Sequence, residues 1–215
     1  MNVDHSITAY IESLIQKRDC TIEEMELYAQ ENNVPIMELI GIECMLQILR
    51  ISSPKRILEI GTAIGYSAIR MAKALPYTKI VTIERDEERY KKALQYISET
   101  GTSSQIEVIY GDALEVEETV KEKGEFDVLF IDAAKGQYRR FFETYEKYLS
   151  QSGMILTDNV LFKGLVAEDH IENKRIRSLV TKIKSYNEWL MAHPNYVTTI
   201  IPVGDGIAIS KKRGE

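Results

Sequence analysis

The sequence predicts an α/β fold: a mostly parallel sheet with helices on both faces, preceded by a helical segment and closed by an antiparallel hairpin. Three observations carry this. From Lys55 onward, short and nearly continuous apolar runs alternate with amphipathic stretches. Strands that are apolar on both faces and separated by helices belong to a parallel sheet covered on each side. The first fifty residues instead repeat their apolar side chains at helical spacing, and the last two strand-like runs are joined by a tight turn at Gly204-Asp205.

Taken in order, Ile7, Tyr10, Ile11, Leu14 and Ile15 mark a first helix. Thr21 with Glu24 has the form of a capping box opening a second, which Asn32-Asn33 would end. Pro35 fits the first turn of a third helix, with Ile36, Leu39, Ile40 and Leu46 on its apolar side. The strand runs are 56–60, 79–84, 106–110, 126–132 and 154–158, followed by helical stretches near 66–75, 87–99, 114–122 and 138–149. Runs 197–203 and 206–210 form the closing hairpin. No linker or repeat interrupts the pattern, so the expectation is one domain: a helical extension over 1–53 and an α/β core over 54–215.

A chain of 215 residues, 44% hydrophobic and 28% charged, is long enough to bury one substantial core. No apolar run approaches the roughly 20 residues that span a bilayer. The first residues lack the basic start and apolar stretch of a signal peptide, which points to the cytoplasm and no membrane partner. Cys20 and Cys44 are isolated, without CxxC spacing, and read as small apolar residues on helices. His5, His170 and His193 are scattered and give no zinc pattern. The net charge of −6 disfavours a nonspecific nucleic-acid coat but permits a local basic surface.

The first strand runs into Glu59-Ile60-Gly61-Thr62-Ala63-Ile64-Gly65-Tyr66-Ser67. Gly61 suits a backbone shape closed to other residues, and Gly65 lets a helix begin close to a ligand. Ligands of open α/β sheets bind at the carboxyl ends of the strands, where this loop lies. The second strand ends in Glu84, a carboxylate able to accept two hydrogen bonds from a ribose diol. The third ends in Gly111-Asp112-Ala113, where Asp112 would meet an adenine amine or cap a helix. A dinucleotide enzyme also uses a glycine loop and a distant acid, but the spacing here is G-x-x-x-G and not GxGxxG.

The fourth strand ends in Asp132-Ala133-Ala134-Lys135 and the fifth in Asp158-Asn159. Neighbouring parallel strands ending together would bring Asp132, Asp158 and Asn159 to one crevice. Two carboxylates and an amide oxygen are hard ligands suited to magnesium or manganese. Lys135 lies one short turn from Asp132, within reach of a substrate hydroxyl beside such a metal. A divalent cation lowers the pKa of that hydroxyl and favours the deprotonated lysine, which makes Lys135 the candidate general base. The oxygen would then attack a sulfonium methyl in line, with positioning and charge stabilisation providing most of the catalysis.

These residues resemble the cation-dependent O-methyltransferases typified by catechol O-methyltransferase and the plant caffeoyl-CoA enzymes. The resemblance is carried by LEIGTAIGYSA (58–68), Glu84, GDA (111–113), FIDAAK (130–135), TDNVLFKG (157–164) and PVGDG (202–206). It implies a Rossmann-like class I methyltransferase with strand order 3-2-1-4-5-7-6, and a homodimer. It implies S-adenosylmethionine held by the loop of Glu59, Gly61 and Gly65, by Glu84, and by Gly111, Asp112 and Ala113, with Met37, Ser67 and Asp132 also beside it. It assigns Asp132, Asp158 and Asn159 to Mg2+ or another divalent cation such as Mn2+, and the role of base to Lys135.

A metal with two neighbouring open positions wants two vicinal oxygens, as in a catechol or in the 5-hydroxyl and 4-carbonyl of 5-hydroxyuridine. The overall sequence, with its short insertion loops and its KRIRSLVTKIKSYNEWLMAHPNY stretch, most resembles the bacterial tRNA 5-hydroxyuridine methyltransferases of this family, which implies 5-methoxyuridine formation at the tRNA wobble position. Arg139, Arg140, Lys163, Lys174, Arg175 and Arg177 would contact phosphates of the anticodon loop, or else be solvated faces balanced by Glu143, Glu146, Glu168, Asp169 and Glu172. Tyr138, Phe162 and Trp189 are candidate pocket walls, although aromatic residues at helical spacing are more often core. The alternatives are the same chemistry on a small catechol-like metabolite, a nicotinamide-dependent oxidoreductase, and a non-catalytic RNA-binding module.

Overall fold

The computed structural model describes residues 5–214. Three helices, α1 (His5–Leu14), α2 (Cys20–Glu31) and α3 (Leu39–Ser52), precede the first strand. The core then alternates as β1 (Arg56–Ile60), α4 (Tyr66–Ala74), β2 (Lys79–Glu84), α5 (Glu87–Glu99), β3 (Ile106–Tyr110), α6 (Glu117–Lys121), β4 (Phe126–Ile131), α7 (Tyr138–Tyr145) and β5 (Leu149–Thr157). It ends with α8 (Lys174–Met191), β6 (Tyr196–Ile201) and β7 (Ile207–Lys212). The seven strands form one sheet in the order β3-β2-β1-β4-β5-β7-β6. β1 to β5 pair in parallel, and β7 runs antiparallel to both β5 and β6.

Alternation along the strands assigns each side chain to one of two layers. Ile57, Val128, Phe130 and Leu156 face Met25, Met45, Leu49, Ile69 and Tyr96 of the layer built from α2 to α5. Leu58, Ile60, Leu129, Ile131 and Ile155 face Val120, Phe142, Tyr145, Tyr186 and Leu190 of α6 to α8. Both sheet faces are therefore covered, which is why the strand runs read as continuously apolar.

Several boundaries differ from the sequence expectation. The cap of α2 is Asp19, whose side chain accepts from the Ile22 N–H at 3.2 Å, so Thr21 and Glu24 do not form the expected capping box. Pro35 does not open α3; residues 34–38 are non-helical, and α3 begins at Leu39. The stretch expected as a helix from Leu114 is a turn until Glu117, because Asp112 Oδ1 accepts from the Leu114 N–H at 2.9 Å and its carbonyl accepts from Glu115 and Val116. β5 starts five residues earlier than Met154. Leu149 pairs with Phe126, but residues 150–153 fall in a register shift before Val128 pairs with Met154, so they carry no apolar alternation. Cys44 is half-buried on α3 as a small apolar residue would be, but Cys20 is exposed at the start of α2.

Candidate active site

The carboxyl ends of β1 to β4 open into a cavity of about 330 Å³. Its floor is the loop after β1, and Gly61 shows why that loop needs glycine. With φ +104°, a Cβ there would lie 2.0 Å from the Asp132 carbonyl oxygen, so β1 and β4 can end side by side only if this position is bare. Thr62, Ala63, Tyr66 and Ser67 continue the wall. Glu84 faces the same cavity with its carboxylate already oriented: Oε2 accepts from the Ala63 N–H at 2.8 Å, and Oε1 from Arg85 and Asp86 at 3.0 and 2.8 Å. Three backbone donors fix its direction and leave a lone pair of Oε2 open to a ligand hydroxyl. Gly111, Asp112 and Ala113 form the far side, and Met37, on the segment leading into α3, forms part of the opposite one.

Two of the expected cofactor residues lie behind this wall. Glu59 is fully buried and does not line the cavity; its two oxygens accept from Ser67 Oγ and Thr82 Oγ1, each at 2.5 Å. Burial pushes its carboxyl up to about 7, against the opposing pull of those two hydroxyl donors. Its direct partner is thus Ser67, which does reach the cavity. Gly65 also stays out of the lining; at φ +87° it starts α4 close against Ala93 of α5.

The second constellation adjoins the cavity. The pairing of Ile131 with Thr157 ends β4 and β5 at the same level, so Asp132 and Asp158 emerge together. Their N–H groups continue the ladder, donating to Ile60 and Ile131 carbonyls at 2.9 and 3.0 Å. Asn159 Nδ2 donates to Asp158 Oδ2 at 2.7 Å, and Lys135 Nζ donates to Asn159 Oδ1. The Tyr138 hydroxyl donates to the Asp158 carbonyl at 3.0 Å, fixing the chain behind them. Asp132, Lys135 and Asn159 line the cavity, while Asp158 lies just beneath, 3% exposed.

Burial pushes the Asp132 carboxyl up to about 6, countered by the Lys135 ammonium and reinforced by the negative charge of Asp205. Asp158 is pushed up further, first by burial and then by Asp132. Two acids of one sign, desolvated side by side, call for a cation beyond the single lysine. Among the described residues no cluster of three histidine, cysteine or carboxylate side chains forms a metal site. The fitting donor set is two carboxylates and one amide oxygen, whose hardness suits magnesium or manganese. Lys135 reaches that amide oxygen, so the candidate base and the candidate metal ligands lie within one hydrogen bond of each other.

Of the three candidate aromatic walls, Tyr138 and Trp189 belong to the core layer. Trp189 packs edge-on against Phe142 and His193. Tyr138 reaches the site only through its hydroxyl, and Phe162 stands beside Lys135, its ring centroid 5.7 Å from Nζ, on a left-handed backbone with φ +47°. Arg139 is engaged by Glu143 at 2.8 Å and lies over Trp189, and Arg140 donates to Gln137 at 3.1 Å. Lys163, Lys174, Arg175 and Arg177 are exposed and form no ion pair among the described residues. Lys182 joins them near Gly136, a placement that α8 decides and sequence spacing does not. The reading of single motifs also missed Asp205, because an aspartate between two glycines reads as a turn residue. It missed Arg85 and Arg89 at the mouth of the cavity as well.

The O-methyltransferase family model matches residues 12–213. The chain is 30% identical over 208 residues to the flavonoid 3',5'-methyltransferase of Vitis vinifera, covering 94% of this chain and 87% of that one. It superimposes with a TM-score of 0.90 on a Staphylococcus aureus protein provisionally assigned as a caffeoyl-CoA O-methyltransferase, at 38% identity and covering 95% and 98% of the two chains. The O-methyltransferase TomG of Streptomyces achromogenes, which is involved in tomaymycin synthesis, was solved in complex with S-adenosylmethionine. It matches with a TM-score of 0.82 at 26% identity over 97% and 96% of the chains. The nicotinamide-dependent alternative is thereby set aside, and the chain belongs to the S-adenosylmethionine-dependent O-methyltransferase family.

Proposed function

We propose that this protein is a magnesium-dependent O-methyltransferase that methylates the 5-hydroxyl of 5-hydroxyuridine at the tRNA wobble position, giving 5-methoxyuridine. The observation that carries the chemistry is the hydrogen-bonded chain Lys135–Asn159–Asp158 beside Asp132, at adjacent strand ends and on the edge of the cofactor cavity. Asp132, Asp158 and Asn159 would hold a divalent cation, which would supply positive charge to acidify a hydroxyl beside it. Lys135 Nζ takes the proton of that hydroxyl. The substrate oxygen then attacks the methyl carbon, the carbon–sulfur bond breaks, and S-adenosylhomocysteine leaves. Glu84 would hold the nucleoside end, and Gly61, Thr62, Ala63 and Ser67 of the loop after β1 the amino-acid end, of S-adenosylmethionine.

The exposed cations Lys163, Lys174, Arg175, Arg177 and Lys182 support an anionic macromolecular substrate, with Phe162 offering a face to an extruded base. The reading places the enzyme in the cytoplasm as one domain; among the described residues no helix is long and apolar enough to cross a membrane. A homodimer is part of the same proposal. It is supported by Ile7, Tyr10, Ile11 and Leu14 of α1, which are 40–64% exposed on one stripe. A second reading, a small catechol-like phenol as substrate, is favoured by the flavonoid and caffeoyl-CoA names of the relatives.

The test is transfer of labelled methyl from S-adenosylmethionine to 5-hydroxyuridine-bearing tRNA, with a catechol in parallel. Transfer to tRNA that stops with a chelator is expected, and transfer to the catechol alone would move the protein to small-molecule chemistry. Asp158→Ala is expected to lower transfer by at least about 100-fold with cofactor affinity retained; near-normal turnover would sink the metal mechanism.

A further inference from the structure

The loop after β5 carries two of the candidate metal ligands in a conformation that needs outside support. Asn159, Phe162 and Lys163 all have positive φ, at 59°, 47° and 56°, and none is glycine. Such residues persist only where their surroundings hold them. Asn187 Nδ2 holds the Val160 carbonyl at 2.8 Å and the Tyr138 hydroxyl the Asp158 carbonyl at 3.0 Å, and further brackets come from the turn between β6 and β7. The Val160 N–H donates to the Gly206 carbonyl at 3.1 Å and the Leu161 N–H to the Asp205 carbonyl at 2.9 Å. The Lys163 N–H donates to Asp205 Oδ1, the side-chain contact that the turn itself contributes.

Two glycines make this approach possible. A Cβ on Gly206 would lie 2.3 Å from Leu161 Cγ, so loop and turn meet without a side chain between them. On the other side, a Cβ on Gly204 would lie 3.3 Å from Gly41 Cα at the start of α3, with Glu38 Oε2 at 3.5 Å. The turn is therefore seated on the same N-terminal segment that brings Met37 to the cofactor cavity.

We propose that Asp205 is a positioning residue: by accepting the Lys163 N–H it locks the 158–164 loop in the left-handed form that turns Asp158 and Asn159 toward the site. The consequence for metal binding rests on the function proposed above, whereas the bracket itself does not. Asp205 also brings charge toward Asp132 and Asp158, so the two contributions must be separated. Asp205→Asn keeps the acceptor and removes the charge; Asp205→Ala removes both.

Hydrogen–deuterium exchange on the full chain without added metal reads the bracket directly, with β1 and β4 amides as the control for folding. Asp205→Ala is expected to speed exchange over residues 158–164 at least tenfold and Asp205→Asn less than threefold. Unchanged exchange in Asp205→Ala, or equal loss in both variants, overturns the proposal. Mn2+ titration followed by electron paramagnetic resonance reads the consequence, with at least threefold weaker binding in Asp205→Ala than in Asp205→Asn. A parent enzyme that shows the exchange pattern but binds no Mn2+ would overturn the metal reading and leave the bracket standing.

Discussion

At the scale of single residues, two positions make opposite demands on the backbone and the solvent. Gly61 is required by geometry: alanine there meets the Asp132 carbonyl oxygen at 2.0 Å and sits at φ +104°. Backbone strain and overpacking together make Gly61→Ala destabilising by about 3 kcal/mol or more. In a thermal melt that is a fall in Tm of about 6–12 °C for a chain of this size; an unshifted melt would show that β1 and β4 can part. Glu59 is a question of charge. Its folded carboxyl is raised from 4.5 to about 7, so the folded state holds a proton that the unfolded chain has released. Its contribution to stability is present below pH 4.5 and is lost as pH rises through about 7, a span worth about 3 kcal/mol. Asp132 and Asp158 titrate too, so the reading is the difference between the parent and Glu59→Gln. Urea unfolding at pH 5 and pH 8 should show the parent losing more stability than the variant, and parallel losses would refute the assignment.

At the scale of elements, α4 is tied to the N-terminal helices through Arg70. Its guanidinium donates to the Tyr66 hydroxyl at 2.8 Å and to Glu43 of α3, while the Tyr66 hydroxyl donates to Glu26 of α2 at 2.7 Å. Arg18 also holds Glu26, at 2.7 Å. Tyr66 and the segment before α3 both line the cavity, so the helices that precede the sheet shape the site. Arg70→Met removes a nearly buried cation from a Glu43 carboxylate that is 30% exposed and partly screened by water, an expected loss of about 1–2 kcal/mol. S-adenosylhomocysteine binding should weaken in the same variant. Chemical denaturation and calorimetric titration check the two halves, and a variant as stable as the parent would contradict this account. β1 to β4 were legible from sequence nearly to the residue, because their apolar runs are bounded by polar turns, whereas β5 begins five residues before its apolar run. The start of α3 was not legible: Pro35 is compatible with a helical first turn, but residues 34–38 are non-helical and Pro35, Ile36 and Met37 line the cavity.

At the scale of the whole molecule, charge separates the two substrate readings. The chain carries a net charge of −6, yet Lys163, Lys174, Arg175, Arg177 and Lys182 are exposed and form no ion pair among the described residues. If four or five of these meet phosphates, log K for a tRNA anticodon stem-loop should fall with log salt at a slope of about −3 to −4. Fluorescence anisotropy between 50 and 200 mM salt, set by the range over which counterion release is read, tests this. A slope near zero would favour the small phenol.

The sequence by itself determined the strand order of events along the chain, the bare loop at Gly61, the acid Glu84, and the hard-oxygen set Asp132, Asp158 and Asn159 with Lys135. Each of these is written locally, as a periodicity or as a residue type at a strand end. Tertiary structure alone decided that Glu59 is buried behind Ser67, that Phe162 stands beside Lys135 while Trp189 packs in the core layer, and that Asp205 meets the loop after β5. These depend on contacts between segments far apart in sequence, and no spacing rule records which buried side chain another element will meet.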